Sequence, residues 1–203
     1  MIGLFIDTSH LLTIGIFDEK FNWLCYVQED EMKSSGIIHY KINSLLDKNK
    51  KSTKDISRII IANGPGSYTG VRVGEGIGQV FDWQGVETLS FHHYQIPSLI
   101  GIESGNFICP AFKGEYFHYK WNSTNSESIL ISYEDVIEIC EVENEIYSNQ
   151  IFLEDQFNSS IKNTMLLIKN NISELFPKII SLKLRDEPFY FRKLNEEFSK
   201  AKK

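Results

Sequence analysis

The sequence predicts an α/β fold with a mixed sheet covered by helices, in two subdomains of which the second is reduced. Its first hundred residues alternate strand and helix patterns in the order β-β-β-α-β-α-β-α. A glycine-rich loop at residues 64–70 joins a β-branched strand to a helix, and after Gly101 the pattern changes to a hairpin with polar loops. We therefore assign residues 1–102 to an N-terminal α/β subdomain with the glycine loop. Residues 103–203 form a smaller C-terminal α/β subdomain.

The N-terminal part begins with three short apolar runs at residues 2–7, 11–17 and 22–27, which are typical of a β-meander. The first run is almost continuously apolar, so we expect it to be a central strand. Apolar residues at helical spacing predict a helix over residues 35–46. A β-branched strand follows at residues 58–62.

Further along, the patterns are shorter and more polar. A helix is expected from about Val71, because it follows directly on the glycine loop. In chain order, the remaining predicted elements are a strand at 86–90, a helix at 92–100 interrupted or ended by Pro97, a hairpin of 106–112 with 115–121 around Lys113-Gly114, a helix capped by Ser132, a strand at 151–153 and a helix at 161–168.

The glycine loop, residues 64–70, has the chemistry of either a phosphate-binding loop or a site of close contact with a partner chain. Its glycines permit unusual backbone angles, and the following helix N-terminus presents free N–H groups. A Walker A loop would need a lysine after the last glycine, where Val71 and Arg72 stand. A dinucleotide fingerprint would need glycine in place of Thr69. A simple tight turn between strand and helix is the alternative.

Gly70, Gly74 and Gly78 fall four residues apart and therefore share one face of the predicted helix. Each interior glycine destabilises a helix by about 1 kcal/mol relative to alanine, so a close backbone approach must offset that loss. Either the chain's own sheet or another protein's helix can make that approach. Trp83, at the end of the same helix, is a candidate anchor at a protein interface.

Composition narrows the function classes. The chain has 203 residues, 42% of them hydrophobic, and a net charge of −6, which disfavours a tight direct grip on nucleic acid. Three widely spaced cysteines without Cys-x-x-Cys spacing predict reduced core residues of a cytoplasmic protein. We find no run of eighteen apolar residues and no secretory signal pattern, so no membrane association is expected.

No complete catalytic set is evident from the sequence. The five histidines include no His-x-x-x-His pair, and there is no Gly-x-Ser-x-Gly elbow to expose a serine. Asp7, at the end of the first strand, can hold Mg²⁺ or a nucleotide together with Thr8. Alternatively, Asp7 caps a turn through Thr8 and Ser9, which is the interpretation we favour.

Four segments resemble the TsaB (YeaZ) family of bacterial tRNA threonylcarbamoyladenosine biosynthesis proteins. The strongest is residues 64–74, similar to the family's Gly-Pro-Gly-Ser-Phe-Thr-Gly-Leu-Arg-Ile-Gly over eleven adjacent positions. Residues 6–9 are close to its opening Ile-Asp-Thr-Ser/Ala. Residues 113–117 resemble a weaker middle segment, and residues 188–192 resemble the closing Pro-x-Tyr-x-Arg.

The resemblance implies an actin-like, sugar-kinase-like fold of the ASKHA (ribonuclease H-like) type, and a noncatalytic scaffold role. Family members support the catalytic TsaD subunit, which installs threonylcarbamoyl on N6 of adenosine 37 in tRNAs reading ANN codons. They also assemble with the ATPase TsaE, and tRNA is contacted only through the complex. No cofactor, catalytic residue or metal ligand of its own is implied. A nucleotide at the partner junction and a homodimer of the free chain are compatible with the family.

The resemblance and the loop chemistry together assign residues to a partner interface or phosphate loop: Gly64, Pro65, Gly66, Ser67, Tyr68, Thr69, Gly70, Arg72, Gly74, Gly78 and Trp83. Departures from the family pattern occur at residues 34–36 and 110–112, and at Glu75, Gly76, Gln79 and Trp83. They predict a partner surface with altered contacts. The rival hypothesis is a small actin-like kinase or phosphotransferase that uses Asp7 and the glycine loop.

Overall fold

The first sheet of this computed structural model, which describes residues 1–29 and 34–191, is built from five strands. These are β1 (Ile2–Asp7), β2 (Thr13–Phe17), β3 (Trp23–Gln28), β4 (Ile56–Ala62) and β5 (Glu87–Phe91), in the order β3-β2-β1-β4-β5. The first three are antiparallel neighbours, whereas β4 and β5 are parallel to β1. The predicted mixed sheet with a central first strand is therefore confirmed.

Helices cover both faces of this sheet. They are α1 (Ser34–Lys48), α2 (Tyr68–Trp83), α3 (Ile96–Leu99), α6 (Thr164–Asn170) and α7 (Ile172–Leu182). Side chains alternate along a strand, so Leu4 and Ile6 pack with α1 and α2 while Phe5 packs with α6 and α7. No helix in the described part of the chain is long and apolar enough to cross a membrane.

The second sheet lies in the later half of the chain and has the order β10-β9-β6-β7-β8. Its elements are β6 (Gly105–Pro110), β7 (Tyr116–Trp121), β8 (Ser126–Ile131), α4 (Tyr133–Val142), β9 (Ile146–Ser148), α5 (Phe152–Phe157) and β10 (Ile161–Asn163). The predicted hairpin is confirmed as β6 and β7. Ser132 caps α4 through the expected capping box with Asp135.

Three predictions in this half differ from the structure. Residues 151–153 were expected to form a strand but lie at the start of α5, and 161–163 form β10 rather than the first turn of a helix. No strand was expected between the hairpin and the helix capped by Ser132, where the structure has β8. These elements are three to six residues long, too short for hydrophobic periodicity to separate strand from helix.

The C-terminal segment, residues 184–191, lies along the first sheet. Ser90 N donates to Leu184 O at 3.0 Å, and Asp186 N donates to Ser90 O at 3.2 Å, so this segment covers the outer edge of β5. The two sheets fall on either side of residue 102, but α6 and α7 return to pack on the first one. The proposed boundary at 102 stays a prediction.

Candidate functional site

The glycine loop is held tightly against the turn that follows β1. Ser67 N donates to Ser9 O at 2.6 Å, and Asn149 Nδ2 donates to Pro65 O at 2.8 Å. A Cβ atom on Gly66, which has φ of +158°, would overlap Ser9 O. The side chain of Ser67 caps α2 by accepting from Gly70 N at 3.2 Å. The loop's special backbone therefore serves contact with the chain's own residues.

The glycine stripe of α2 faces the first sheet. A Cβ on Gly70 would overlap Thr8 O, one on Gly78 would overlap Ile61 Cδ1, and one on Gly74 would lie 2.8 Å from Thr8 Oγ1. This packing favours the internal alternative, because the face of the helix that carries Gly74 and Gly78 lies against the protein's own residues. Their assignment to a partner interface stays a prediction.

The opposite face of α2 is open. Gly76, two residues from Gly74, has no neighbouring heavy atom within 4 Å of where a Cβ would stand. Val80 is 46% exposed and Trp83 is 81% exposed. Because 76, 80 and 83 follow helical spacing, these residues form one outward stripe, which we call the outer stripe of α2.

A groove of about 470 Å³ runs between this stripe and α1. More of its lining surface is apolar than polar, and the lining residues are His39, Ile42, Asn43, Thr53, Arg72, Val73, Gly76, Ile77, Val80, Phe81 and Gln84. Apolar surface of this kind, beside an exposed tryptophan, is typical of a protein interface. Trp83 and Arg72 are the predicted interface residues that lie on or beside it.

The C-terminal segment clamps α2 from the side. Arg185 Nη2 lies 2.6 Å from Glu75 Oε1, and Asn63 Nδ2 donates to Glu75 Oε2 at 2.9 Å. Burial opposes ionisation of Glu75, but the hydrogen bonds from Arg185 and Asn63 outweigh it and hold its pKa below the usual value. Arg72 Nε donates to Tyr190 Oη at 3.2 Å. The family departure at Glu75 thus has an intramolecular explanation.

Asp7 lies in a buried polar cluster beneath the glycine loop. Ser9 N donates to Asp7 Oδ1 at 2.7 Å, as the capping alternative requires, and Thr8 Oγ1 donates to Gly70 O at 2.6 Å. The other carboxylate oxygen lies 2.9 Å from His93 Nε2. Asp7 is 2% exposed, so both oxygens are occupied within the protein.

Ser9, His93 and Asp7 come together although sequence spacing gave no hint of it. Ser9 Oγ lies 3.2 Å from His93 Nε2, the same nitrogen that contacts Asp7, whereas Nδ1 lies 3.0 Å from Thr164 Oγ1. A hydrolytic triad needs serine and aspartate on different ring nitrogens. Ser9 and His93 are also 1% and 0% exposed. The cluster joins elements of both halves and does not form a nucleophile site.

Metal ligands and reactive cysteines were also considered as site residues. The described ranges 1–29 and 34–191 contain no group of three or more histidine, cysteine, aspartate or glutamate residues placed to hold a metal ion. Cys25, Cys109 and Cys140 are free. Burial raises the pKa of the Cys109 thiol to about 12, which keeps it protonated and unreactive.

Comparison with known proteins agrees with the motifs. A family model described as TsaD, tRNA N6-adenosine threonylcarbamoyltransferase, matches residues 32–101. The tRNA threonylcarbamoyladenosine biosynthesis protein TsaB of Bacillus subtilis is 33% identical over 93 residues, 41% of this chain. The predicted resemblance to the TsaB (YeaZ) family is confirmed. The match covers 37% of the Bacillus subtilis protein, so the chain spans well under two thirds of that relative.

Solved structures support the fold class. YeaZ from Pseudomonas aeruginosa aligns with a TM-score of 0.53 and 18% identity, over 66% of this chain and 68% of that one. A second crystal structure, described as an uncharacterized protein with similarity to peptidase YeaZ from Pseudomonas aeruginosa, aligns with a TM-score of 0.62 and 13% identity. That alignment covers 94% of this chain and 99% of the other. The actin-like fold with two mixed sheets is therefore confirmed.

The closing motif of the family resemblance, residues 188–192, is described only in part, because Arg192 lies outside the described residues.

Proposed function

We propose that the chain is a noncatalytic partner subunit of the complex that installs threonylcarbamoyl on N6 of adenosine 37 in tRNAs reading ANN codons. In this role it docks on a TsaD-like catalytic subunit through the groove between α1 and α2. The observation that carries the proposal is this exposed apolar groove, with Trp83 81% exposed and Gly76 open to the outside.

The position of the family match supports the same face. Residues 32–101, which match the TsaD model, include both α1 and α2. If the catalytic subunit carries the same helix pair, two such pairs can pack across a pseudo-twofold axis as a four-helix contact. The open position at Gly76 lets a partner side chain approach the α2 backbone closely. Gly74 and Gly78 contribute indirectly, because they let α2 lie close to the sheet.

The test separates docking from folding. Gly76→Leu places a side chain in the groove, and its Cβ has no neighbouring heavy atom within 4 Å. We expect it to abolish copurification with the TsaD-like subunit while the unfolding midpoint is retained. Ser173→Leu is the matched control at an exposed position of a different helix, α7, outside the groove lining, and it should leave the complex intact. Docking that survives Gly76→Leu would contradict this face.

The pathway itself is tested by mass analysis of bulk tRNA from cells with and without the chain. Unchanged threonylcarbamoyladenosine after its deletion would refute the proposed function. A TsaE-like ATPase, a nucleotide at the partner junction and a homodimer of the free chain belong to the same proposal, with tRNA bound through the assembled complex.

The rival function, an actin-like kinase or phosphotransferase, uses Asp7 and the glycine loop. It has less support, since Asp7 is buried with its oxygens held by Ser9 and His93. This rival predicts Mg²⁺-dependent nucleotide turnover by the purified chain that is lost in Asp7→Ala. Turnover of that kind would replace our proposal.

A further inference from the structure

A second groove lies in the second sheet, away from α1 and α2. It has a volume of about 520 Å³ and runs between α4 and the two strands at one edge of that sheet, β7 and β8. His118 of β7 and Ile129 of β8, which are register partners, line it together with Ile139 and Val142 of α4. Ile129 is 54% exposed and Val142 is 77% exposed. The groove therefore leaves apolar side chains uncovered beside a strand.

That strand is also an open sheet edge. Within the described residues β8 pairs with β7 alone, so its other side presents backbone N–H and C=O groups without strand partners. Natural edges are usually blunted by lysine, proline, a bulge or a covering segment. The edge of β5 is covered in this way by residues 184–186. By contrast, β8 reads Ser-Glu-Ser-Ile-Leu-Ile: it has no lysine or proline, and its one charged side chain is the acidic Glu127.

The negative charge around this groove indicates what kind of molecule can bind there. Residues 122–145 carry seven acidic side chains and no lysine or arginine. Asp135, Glu138 and Glu143 line the groove, and of these Glu143 pairs with Lys120 at 3.2 Å. The phosphates of a nucleic acid would be repelled here, as would the same face of a second copy. A positively charged protein segment is complementary.

We propose that the edge of β8 and the α4 groove bind a basic, extended segment of a partner protein, which adds a strand to the second sheet. Backbone hydrogen bonds to β8 give the affinity. Lysine or arginine side chains on the groove side lay their apolar stems on Ile129 and Val142 and reach Glu138 with their charged heads. This site uses neither α1 nor α2, so it stands or falls independently of the proposed function.

The probe is an acetylated and amidated octapeptide of alternating lysine and valine, titrated onto the full chain by calorimetry. We expect saturable one-to-one binding, weakened about tenfold or more by Glu138→Lys. Glu103→Lys makes the same charge change on an exposed loop outside the groove, so it should change the affinity by less than about twofold. Glu138→Gln, a milder change, should give an intermediate loss and provides a second variant if Glu138→Lys folds poorly.

Strand addition is tested separately with two further peptides, one N-methylated at every lysine and one at every valine. At least one of them should lose binding, because N-methylation removes the donors of one peptide edge. Binding by both overturns strand addition, and an equal loss in Glu103→Lys overturns the groove as the site. Self-association of the chain that disappears in Ile129→Ser, or tRNA binding that disappears in the same variant, would assign the face to another occupant and also overturn the proposal.

Discussion

The inner and outer faces of α2 both carry glycine, but only the inner face is packed against the rest of the protein. Gly74 and Gly78 are packed against Thr8 and Ile61, whereas Gly76 has open space where its side chain would be. On the inner face, glycine lets the helix approach its own sheet. On the outer face it leaves the backbone accessible beside Val80. A glycine within a helix therefore marks a close approach or an open surface, and which of these holds depends on the elements around it.

The largest effect is expected on the inner face. Gly70→Ala would place a Cβ inside the Thr8 carbonyl oxygen, a backbone atom that cannot rotate away. We expect it to lower the free energy of unfolding by about 3 kcal/mol, measured by urea denaturation. A loss below about 1 kcal/mol would mean that α2 can shift outward without penalty.

On the outer face the larger effect should be on binding. Trp83→Ala removes the most exposed large side chain of the helix. We expect it to weaken association with the proposed TsaD-like partner by about 2 kcal/mol, as for an aromatic hot spot, measured by calorimetry. Its unfolding free energy should stay within about 0.5 kcal/mol of the parent. Undiminished affinity would remove Trp83 from the interface.

A smaller change of opposite sign is expected from Gly76→Ala. Because the added methyl group meets no atom of the chain, the helix gains alanine's propensity, and unfolding should become harder by about 1 kcal/mol. Urea denaturation of Gly76→Ala and Gly70→Ala side by side compares the two faces of α2 with the same substitution. A loss of stability in Gly76→Ala would show that both faces are closely packed.

The smallest effect concerns the clamp on α2. The folded pKa of Glu75 lies below its unfolded value, so its contribution is present above the unfolded pKa and is lost as pH falls through the folded pKa. Because the partner Arg185 is 36% exposed, solvent screening limits this contribution to about 1 kcal/mol or less. Glu75→Gln should flatten the acid side of the stability profile, followed by thermal unfolding between neutral and acidic pH. An unchanged profile would exclude Glu75 as its source.

Much of the fold was predictable because long apolar patterns determine it. The central strand β1, the meander and the helix after the glycine loop follow from runs of β-branched and apolar residues with glycine between them. The short elements β8, β9 and α5 were missed or assigned wrongly, since three to six residues do not establish a period. The contact of Asp7 with His93 joins positions 86 residues apart, which no local pattern encodes.

By itself, the sequence determined the α/β class, the glycine loop, the family resemblance and the presence of a helix with Gly70, Gly74 and Gly78 on one face. These depend on local backbone freedom and on side-chain periodicity, which are properties of neighbouring residues. Tertiary structure alone decided which glycines of α2 pack against other residues and which have open space beside them. It also decided that Ser9, His93 and Asp7 are buried together without forming a triad. The reason is that burial and pairing arise from elements distant in the chain, whose approach is fixed when the sheets and helices pack.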